Sequence, residues 1–204
     1  MTNGSRTILF VLAAPSGAGK TTLCKKLLTD FSQIRLSISS TTRKPRGAEQ
    51  DGVDYFFIST EDFQRRIQEE QFAEWAKVHD NYYGTSKEVI QGAFAKGFSV
   101  LLDIDVQGAE QLRKNFPNEC FRIFISPPSL EELESRLRKR GTDSEEVIQK
   151  RLKNAAAEMI TGRSFDAVIV NDSLERAYSE LKSLVETRIS LAPVGASTDG
   201  GFSG

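Results

Sequence analysis

Nine consecutive residues, Ala14-Pro15-Ser16-Gly17-Ala18-Gly19-Lys20-Thr21-Thr22, carry the sharpest chemistry in the chain. Glycines let the backbone curl until successive amide N–H groups point into one concavity, which suits a phosphate chain. Lys20 adds a mobile positive charge for β- and γ-phosphates, and the Thr21 hydroxyl is placed to hold Mg²⁺. The pattern G-x-x-x-x-G-K-[ST] is met at Gly19, Lys20 and Thr21, but Ala14 stands where its first glycine belongs. If position 14 needs a positive φ, alanine costs roughly 1–2 kcal/mol; if φ is negative, the exchange is nearly free. The implied chemistry is the holding of a nucleoside triphosphate with Mg²⁺. A glycine-rich loop that merely turns is the competing possibility.

Three further sets bear on what such a phosphate is handed to. Ser39, Arg43, Arg46, Tyr55, Tyr83 and Thr85 supply hydroxyls and guanidiniums. Arginine forks match phosphate oxygens bidentately and phenols add short hydrogen bonds, so the set describes a phosphomonoester pocket. Glu74 lies in the same region, and a carboxylate accepts two hydrogen bonds from the N1–H and amino edge of guanine, which adenine cannot offer. Arg136, Arg140 and Arg151 form the third set. A spacing of four puts Arg136 and Arg140 on one helix face, where they can close over a transferring phosphoryl group. Plainer roles compete for each: solvated loop charges for Arg43 and Arg46, an exposed strand residue for Glu74, core aromatics for Tyr55 and Tyr83, and an ion pair with Glu132 for Arg136.

These residues need elements to hold them. Thr7 to Ala13 is a continuous apolar run of strand length, and Leu23, Leu27, Leu28 and Phe31 recur at helical spacing after the loop. Strand, glycine-rich turn and helix are the context a phosphate-binding loop requires, with the helix adding its free N–H groups and positive dipole end. Ile34 to Ser40 alternates as a strand, Thr41 to Gly47 reads as a loop broken by Pro45, and Tyr55 to Ile58 as a strand. A helix follows from Thr60, then a strand from Phe72 to Val78, a turn over Asn81 to Thr85, and a helix from Ser86 closed near Gly97. Phe98 to Asp103 is a buried strand that ends in Asp103-Ile104-Asp105, and a carboxylate at the carboxyl end of a central strand sits where open α/β sheets bind ligands. A helix to about Asn115, a strand from Cys120 to Ile125, helices over Ser129 to Arg140 and Asp143 to Gly162, a strand over Ala167 to Val170 and a helix from Ser173 to about Leu191 complete the order. Antiparallel-looking segments between about residues 36 and 96 interrupt the βαβ alternation, which predicts a small lobe inserted in a parallel core.

The 204 residues suit one α/β domain with inserted lobes. Twenty-seven basic against 28 acidic residues leave a net charge of −1, too little basic excess for a generic nucleic-acid binder. Cys24 and Cys120 read as free thiols, and the lone histidine, His79, offers no triad or metal cluster. No signal peptide or membrane span is legible, so a cytoplasmic protein is expected, as a monomer or homodimer, with no nucleic-acid or membrane partner. Residues 1–6 are expected to fray, and residues 193–204 to form a disordered tail.

Taken in order, Ser39-Ser40-Thr41-Thr42-Arg43-Lys44-Pro45-Arg46, Glu49, Gly52-Val53-Asp54-Tyr55-Phe56-Phe57, Asn81-Tyr82-Tyr83-Gly84, Leu102-Asp103-Ile104-Asp105-Val106-Gln107-Gly108, Pro127-Pro128-Ser129, Arg140-Gly141 and Ile169-Val170-Asn171-Asp172 resemble the guanylate kinase family over about residues 7–190. The resemblance implies an α/β phosphate-loop nucleoside-monophosphate kinase fold, a parallel sheet flanked by helices with an inserted mixed-sheet GMP-binding lobe and a helical lid. It divides the chain into a core over about 7–35, 97–125 and 165–192, a GMP-binding lobe over about 36–96 and a lid over about 126–164. It implies transfer of the γ-phosphoryl of ATP to GMP, and to dGMP, with Mg²⁺. By resemblance, Ser39, Arg43, Arg46, Tyr55 and Tyr83 match contacts to the GMP phosphate, while Glu74, Thr85 and Asp105 match guanine contacts. Thr85 stands where the family often has serine. Ala14 to Thr22 match the ATP-binding loop, and Asn171 a residue near the adenine. Asp103 matches a carboxylate near the metal and its waters, beside Thr21 as metal ligand. Lys20, Arg43, Asp103 and the lid arginines Arg136, Arg140 and Arg151 form the expected catalytic set.

The expected reaction is in-line transfer with no covalent enzyme intermediate, driven by positioning and charge neutralisation, with lobe and lid closing to exclude water. Three rivals stand beside it. Some guanylate-kinase-like domains are non-catalytic protein-binding modules with a degraded loop, which Ala14 alone favours here. A kinase for another small phosphate acceptor would share the core. A signalling GTPase would need an N-K-x-D stretch, which the sequence lacks.

Overall fold

The computed structural model describes residues 7–78, 80–141 and 143–190. The expectations for residues 1–6, for the 193–204 tail and for His79 lie outside them.

The centre of the fold is β1 (Leu9–Ala13), buried at all five positions. Its residues are apolar throughout because both faces of the strand are covered. Phe10 and Leu12 enter one core with α1 (Lys20–Asp30) and α7 (Leu174–Ser190). Leu9, Val11 and Ala13 enter the opposite core with α3 (Lys87–Ala95) and α4 (Val106–Asn115). Around β1 runs a five-stranded sheet in the order β2-β7-β1-β8-β9. The added strands are β2 (Ile34–Leu36), β7 (Ser99–Asp103), β8 (Cys120–Ser126) and β9 (Ala167–Val170), and every pairing is parallel. The α/β fold and the helix-flanked parallel sheet expected from sequence are both present. Because β1 is flanked by β7 on one side and β8 on the other, a crevice opens beyond its carboxyl end, the usual ligand position in such sheets.

A separate mixed sheet has the order β4-β3-β6-β5. Its strands are β3 (Ser40–Thr41), β4 (Phe56–Phe57), β5 (Phe72–Val78) and β6 (Asn81–Ser86), covered by α2 (Thr60–Gln68). Phe63 of α2 stacks on Phe72 and Tyr82 with ring centroids 4.2 and 5.3 Å apart. The outer strand β5 is tied to α4 by side chains. Gln111 accepts from the Trp75 N–H at 3.0 Å and donates to its carbonyl at 2.9 Å, and Asn115 donates to the Ala73 carbonyl at 2.8 Å. A third unit is the helix pair α5 (Leu130–Arg140) and α6 (Glu145–Gly162), which shares a small core of Leu133, Leu137, Ile148 and Ala155.

Two expectations are corrected. Asn81 to Thr85 is not a turn but most of β6, paired with β5 from Asn81 to Ser86 and with β3 at Tyr83 and Gly84. Gly84 signals close approach there: a Cβ would come within 2.9 Å of the Glu74 carbonyl oxygen and the Trp75 Cβ. Ile34 to Ser40 is not one strand. The chain leaves the core sheet after Leu36, which is 48 % exposed on the sheet edge, and joins the second sheet at Ser40. Both cysteines are free, and burial pushes each thiol up to about 12, so neither is a nucleophile at neutral pH. Among the described residues no helix is long and apolar enough to cross a membrane.

Candidate active site

The loop after β1 turns on Gly17 and Gly19, at φ 95° and 94°. Gly19 has a second constraint, because a Cβ there would collide with the Asn171 side chain. Glu70 is the sole non-glycine with positive φ among the described residues, so Ala14 sits in ordinary backbone and its exchange for glycine carries no conformational penalty. The loop walls a cavity of about 310 Å³ that Ala14, Pro15, Ser16, Lys20, Thr21, Thr22 and Arg140 line. Ala18 is buried under the loop. Thr21 and Thr22, in the first turn of α1, are exposed.

Lys20 opens α1 and reaches across to the end of β7. Its ammonium ion-pairs with Asp103 and donates to the Ile104 carbonyl at 2.9 Å. Only 17 % of its side chain is exposed. The charge is therefore fixed between the loop and the strand end rather than left to wander. The helical pair adds two more guanidiniums near the loop besides Arg140. Arg151 donates to the Ser16 hydroxyl at 2.8 Å and to Asp143 at 3.0 Å. Arg136 donates to Glu132 at 2.9 Å and to the Asn171 carbonyl at 3.0 Å. The surface pairing weighed for Arg136 is thus real, but the same guanidinium also reaches the core. Asn171 is buried, and its side-chain amide donates to the Ala18 carbonyl at 2.7 Å, bracing the loop from beneath.

The second sheet presents the other group. Glu74 of β5 is 6 % exposed. One carboxylate oxygen accepts from the Thr85 hydroxyl at 2.7 Å, and Thr85 lies 3.3 Å from the Ser39 hydroxyl. Gly108 lets α4 approach: a Cβ there would come within 3.0 Å of the other Glu74 oxygen. Asp105 caps the same helix by accepting from the Gly108 N–H at 2.8 Å, which places it beside Glu74. Burial pushes the Glu74 carboxyl up to about 7, the Thr85 hydrogen bond pulls it back, and the Asp105 charge adds to the rise. Arg43 is buried, with its guanidinium over the Tyr55 ring at 5.5 Å. The rings of Tyr55 and Tyr83 meet edge to face at 6.1 Å. Arg46 is exposed and enters the site through its backbone N–H, which donates to Glu49 at 2.8 Å.

Two adjacent residues, Asp103 and Ile104, join the two groups. Asp103 ion-pairs with Lys20 and lines, with Ser39, Tyr55 and Ile104, a cavity of about 180 Å³ between the sheets. The loop and the second sheet therefore approach each other at the carboxyl end of β7, where Lys20 meets Asp103 and Asp103 faces the cavity that Ser39 and Tyr55 line.

Partners with no assigned role in the sequence reading complete the frame. Glu49 accepts from Arg43 at 2.9 Å and also caps the Arg46 N–H, so one carboxylate shapes the whole basic turn. Asp143 holds Arg151, and the Ile104 carbonyl holds Lys20. Glu49 lies three residues after Arg46 and six after Arg43, a local spacing that signals a turn-capping acid. Asp143 lies eight residues before Arg151, a spacing with no capping pattern of its own, and the Lys20 contact joins stretches 84 residues apart.

Comparison with known proteins bears on the whole of this frame. The guanylate kinase family model matches residues 6–188. The chain belongs to the guanylate kinase family. It is 54 % identical over 176 residues to a guanylate kinase of Nitratidesulfovibrio vulgaris, covering 86 % of this chain and 84 % of that one. It is 51 % identical over 178 residues to a guanylate kinase of Geobacter sulfurreducens, covering 87 % of each. A crystal structure of guanylate kinase from Anaplasma phagocytophilum superposes with a TM-score of 0.70 at 34 % identity, covering 90 % of this chain and 86 % of that one. The guanylate kinase match thus spans the loop, the second sheet and the helical pair alike.

Proposed function

We propose that the protein transfers the γ-phosphoryl group of ATP to GMP or dGMP, giving ADP and GDP or dGDP, in the cytoplasm. The observation that carries this is Asp103, which ion-pairs with Lys20 of the loop and lines a cavity with Ser39, the residue that continues through Thr85 to Glu74. In this assignment the core sheet with its loop holds ATP, the second sheet is the GMP lobe, and α5 with α6 is the lid. Glu74, with Asp105 and Thr85, reads guanine; Ser39, Arg43, Arg46, Tyr55 and Tyr83 hold its phosphate. Arg136, Arg140 and Arg151 bring positive charge to the triphosphate side. The acceptor's own phosphate oxygen attacks in line, so the chain supplies position and charge rather than a nucleophile or a strong base.

The residues present fit Mg²⁺. Thr21 is exposed and lines the loop cavity, Asp103 stands at the Lys20 ammonium, and Mg²⁺ takes one or two protein oxygens plus phosphates and keeps several waters. The Thr21 hydroxyl would hold it, with Asp103 acting through water. When bound, the ion neutralises charge on the β- and γ-phosphates.

A coupled assay tests the proposal against a non-catalytic binding module. ATP with GMP is expected to release one ADP for each GDP formed, and ATP alone almost none. GMP binding without ADP release would instead mark a module that only binds.

Asp143 offers a sharper check on the lid assignment. Its side chain is 12 % exposed, one oxygen holds Arg151, and the other is buried without a partner. Asp143→Asn removes the charge that orients this guanidinium, and a hydrogen bond between charged groups is worth enough to predict about a tenfold rise in the KM for ATP. Titration of ATP at saturating GMP measures it, with the KM for GMP unchanged. An equal rise in both KM values would remove Arg151 from the ATP side.

A further inference from the structure

Successive residues of an extended chain face opposite ways. Ser39 and Tyr55 line the crevice that holds Asp103, while the next residues, Ser40 and Phe56, line a different and larger cavity of about 630 Å³. This cavity therefore opens on the reverse of the second sheet. It lies where the chain crosses between the sheets, with Arg35 of β2 and Phe98 just before β7 on its core side. None of the residues assigned to ATP or GMP lines it.

Its wall has two chemical parts. Phe56, Val89 and Ala93 give an apolar floor. Around it stand three cations, Arg35, Arg66 and Lys96, against one carboxylate, Glu88. Arg66 and Lys96 are short of acceptors. Arg66 pairs with Asp62 at 2.8 Å through one amino group, but its Nε is buried and has no hydrogen-bond partner. That Nε is closed off, but the side chain as a whole is 31 % exposed, so an oxyanion, the acceptor a guanidinium takes best, can meet an amino group. Arg35 is stacked on the Phe98 ring at 3.9 Å and donates to the Ser32 carbonyl at 2.6 Å, so its charge is held in place. Among the described residues neither Arg35 nor Lys96 makes an ion pair. A pocket with an apolar floor and a few convergent charged groups is the ordinary form of a small-molecule site.

We propose that this cavity binds a small aromatic oxyanion, with its ring on Phe56, Val89 and Ala93 and its phosphate or carboxylate group met by Arg66 and Lys96. The site is separate from the transfer crevice and does not depend on the activity assigned there.

The test is a titration of the ¹⁵N-labelled full chain with phenyl phosphate, GMP being held in excess so that any second-sheet phosphate pocket is filled. Saturable shifts are expected at the amides of Phe56, Val89 and Lys96. Phenol, which lacks the charge, and inorganic phosphate, which lacks the ring, should each bind at least about tenfold more weakly. Arg66→Gln should weaken phenyl phosphate about tenfold. Gly92→Leu should abolish its binding, because Gly92 lines the cavity and a Cβ there meets no neighbour within 4 Å, so the new side chain fills the space in a helix that tolerates it. The proposal fails if no saturable shifts appear at these amides, if phenol binds as well as phenyl phosphate, or if both variants bind like the parent chain.

Discussion

Lys20→Ala is expected to lower kcat for GMP phosphorylation by about 10²–10³-fold, the range for losing one preorganised group that stabilises developing charge. The lysine is already in place before any substrate arrives, anchored by Asp103 and by the Ile104 carbonyl at 2.9 Å. An ammonium fixed in this way needs little reorganisation when charge moves between donor and acceptor phosphates. The substitution should leave the fold standing. It uncovers Asp103, whose side chain is already 33 % exposed, and a partly solvated ion pair contributes only about 0–1 kcal/mol. Steady-state turnover and thermal unfolding of the same preparation separate the two effects. Turnover near that of the parent chain would take Lys20 out of the transfer step.

Glu74→Gln is expected to raise the KM for GMP by about 10–100-fold with a smaller change in kcat, since a bidentate base contact is worth roughly 1–3 kcal/mol of discrimination. An amide offers one acceptor where the carboxylate offers two, and it sets an N–H against the guanine donors. The same residue fixes a pH dependence. Its carboxyl is raised from 4.5 to about 7, first by burial, with the Thr85 hydrogen bond opposing and Asp105 adding to the rise. Guanine needs the deprotonated form, so the KM for GMP in the parent chain should rise roughly tenfold per pH unit below 7, and GMP binding near neutrality should release a proton. Glu74→Gln should show neither effect.

Stability moves with the same group, and the sign follows from linkage. The folded chain keeps a proton that the unfolded chain has lost between 4.5 and about 7. Its contribution to stability is therefore fully present below the lower value and is lost as pH rises through the upper one. Glu74→Gln should gain stability relative to the parent between about pH 5 and about pH 8, by at most about 3 kcal/mol. Denaturant unfolding at the two pH values measures the difference, and a constant difference would show that Glu74 ionises normally.

How much of this was legible in the sequence depends on the range of each signal. The loop was readable because its chemistry is written in neighbouring residues, and the β1 run is apolar throughout because that strand is covered on both faces. The second sheet was harder. Asn81 to Thr85 has turn-forming residues, yet it is a strand, because Gly84 is there to let Trp75 and Phe63 pack close rather than to reverse the chain. The edge strand β2 ends sooner than its alternation suggests because Leu36 has no sheet or helix to cover it. Glu74 reads from the sequence as a base reader, but its hydrogen bond to Thr85 and its closeness to Gly108 and the Asp105 charge join stretches that pattern alone does not bring together. The anchoring of Lys20 by Asp103 and the contact of Arg151 with Ser16 depend on tertiary placement, so the residues are visible in the sequence and these partnerships are not.

The most direct measurement is an acceptor panel with ATP at saturation, offering GMP, dGMP, AMP, UMP and dTMP and following ADP release. A carboxylate that demands two donors from the base predicts kcat/KM for GMP and dGMP about 10²-fold or more above that for the other three. AMP or a pyrimidine monophosphate phosphorylated as well as GMP would contradict the account.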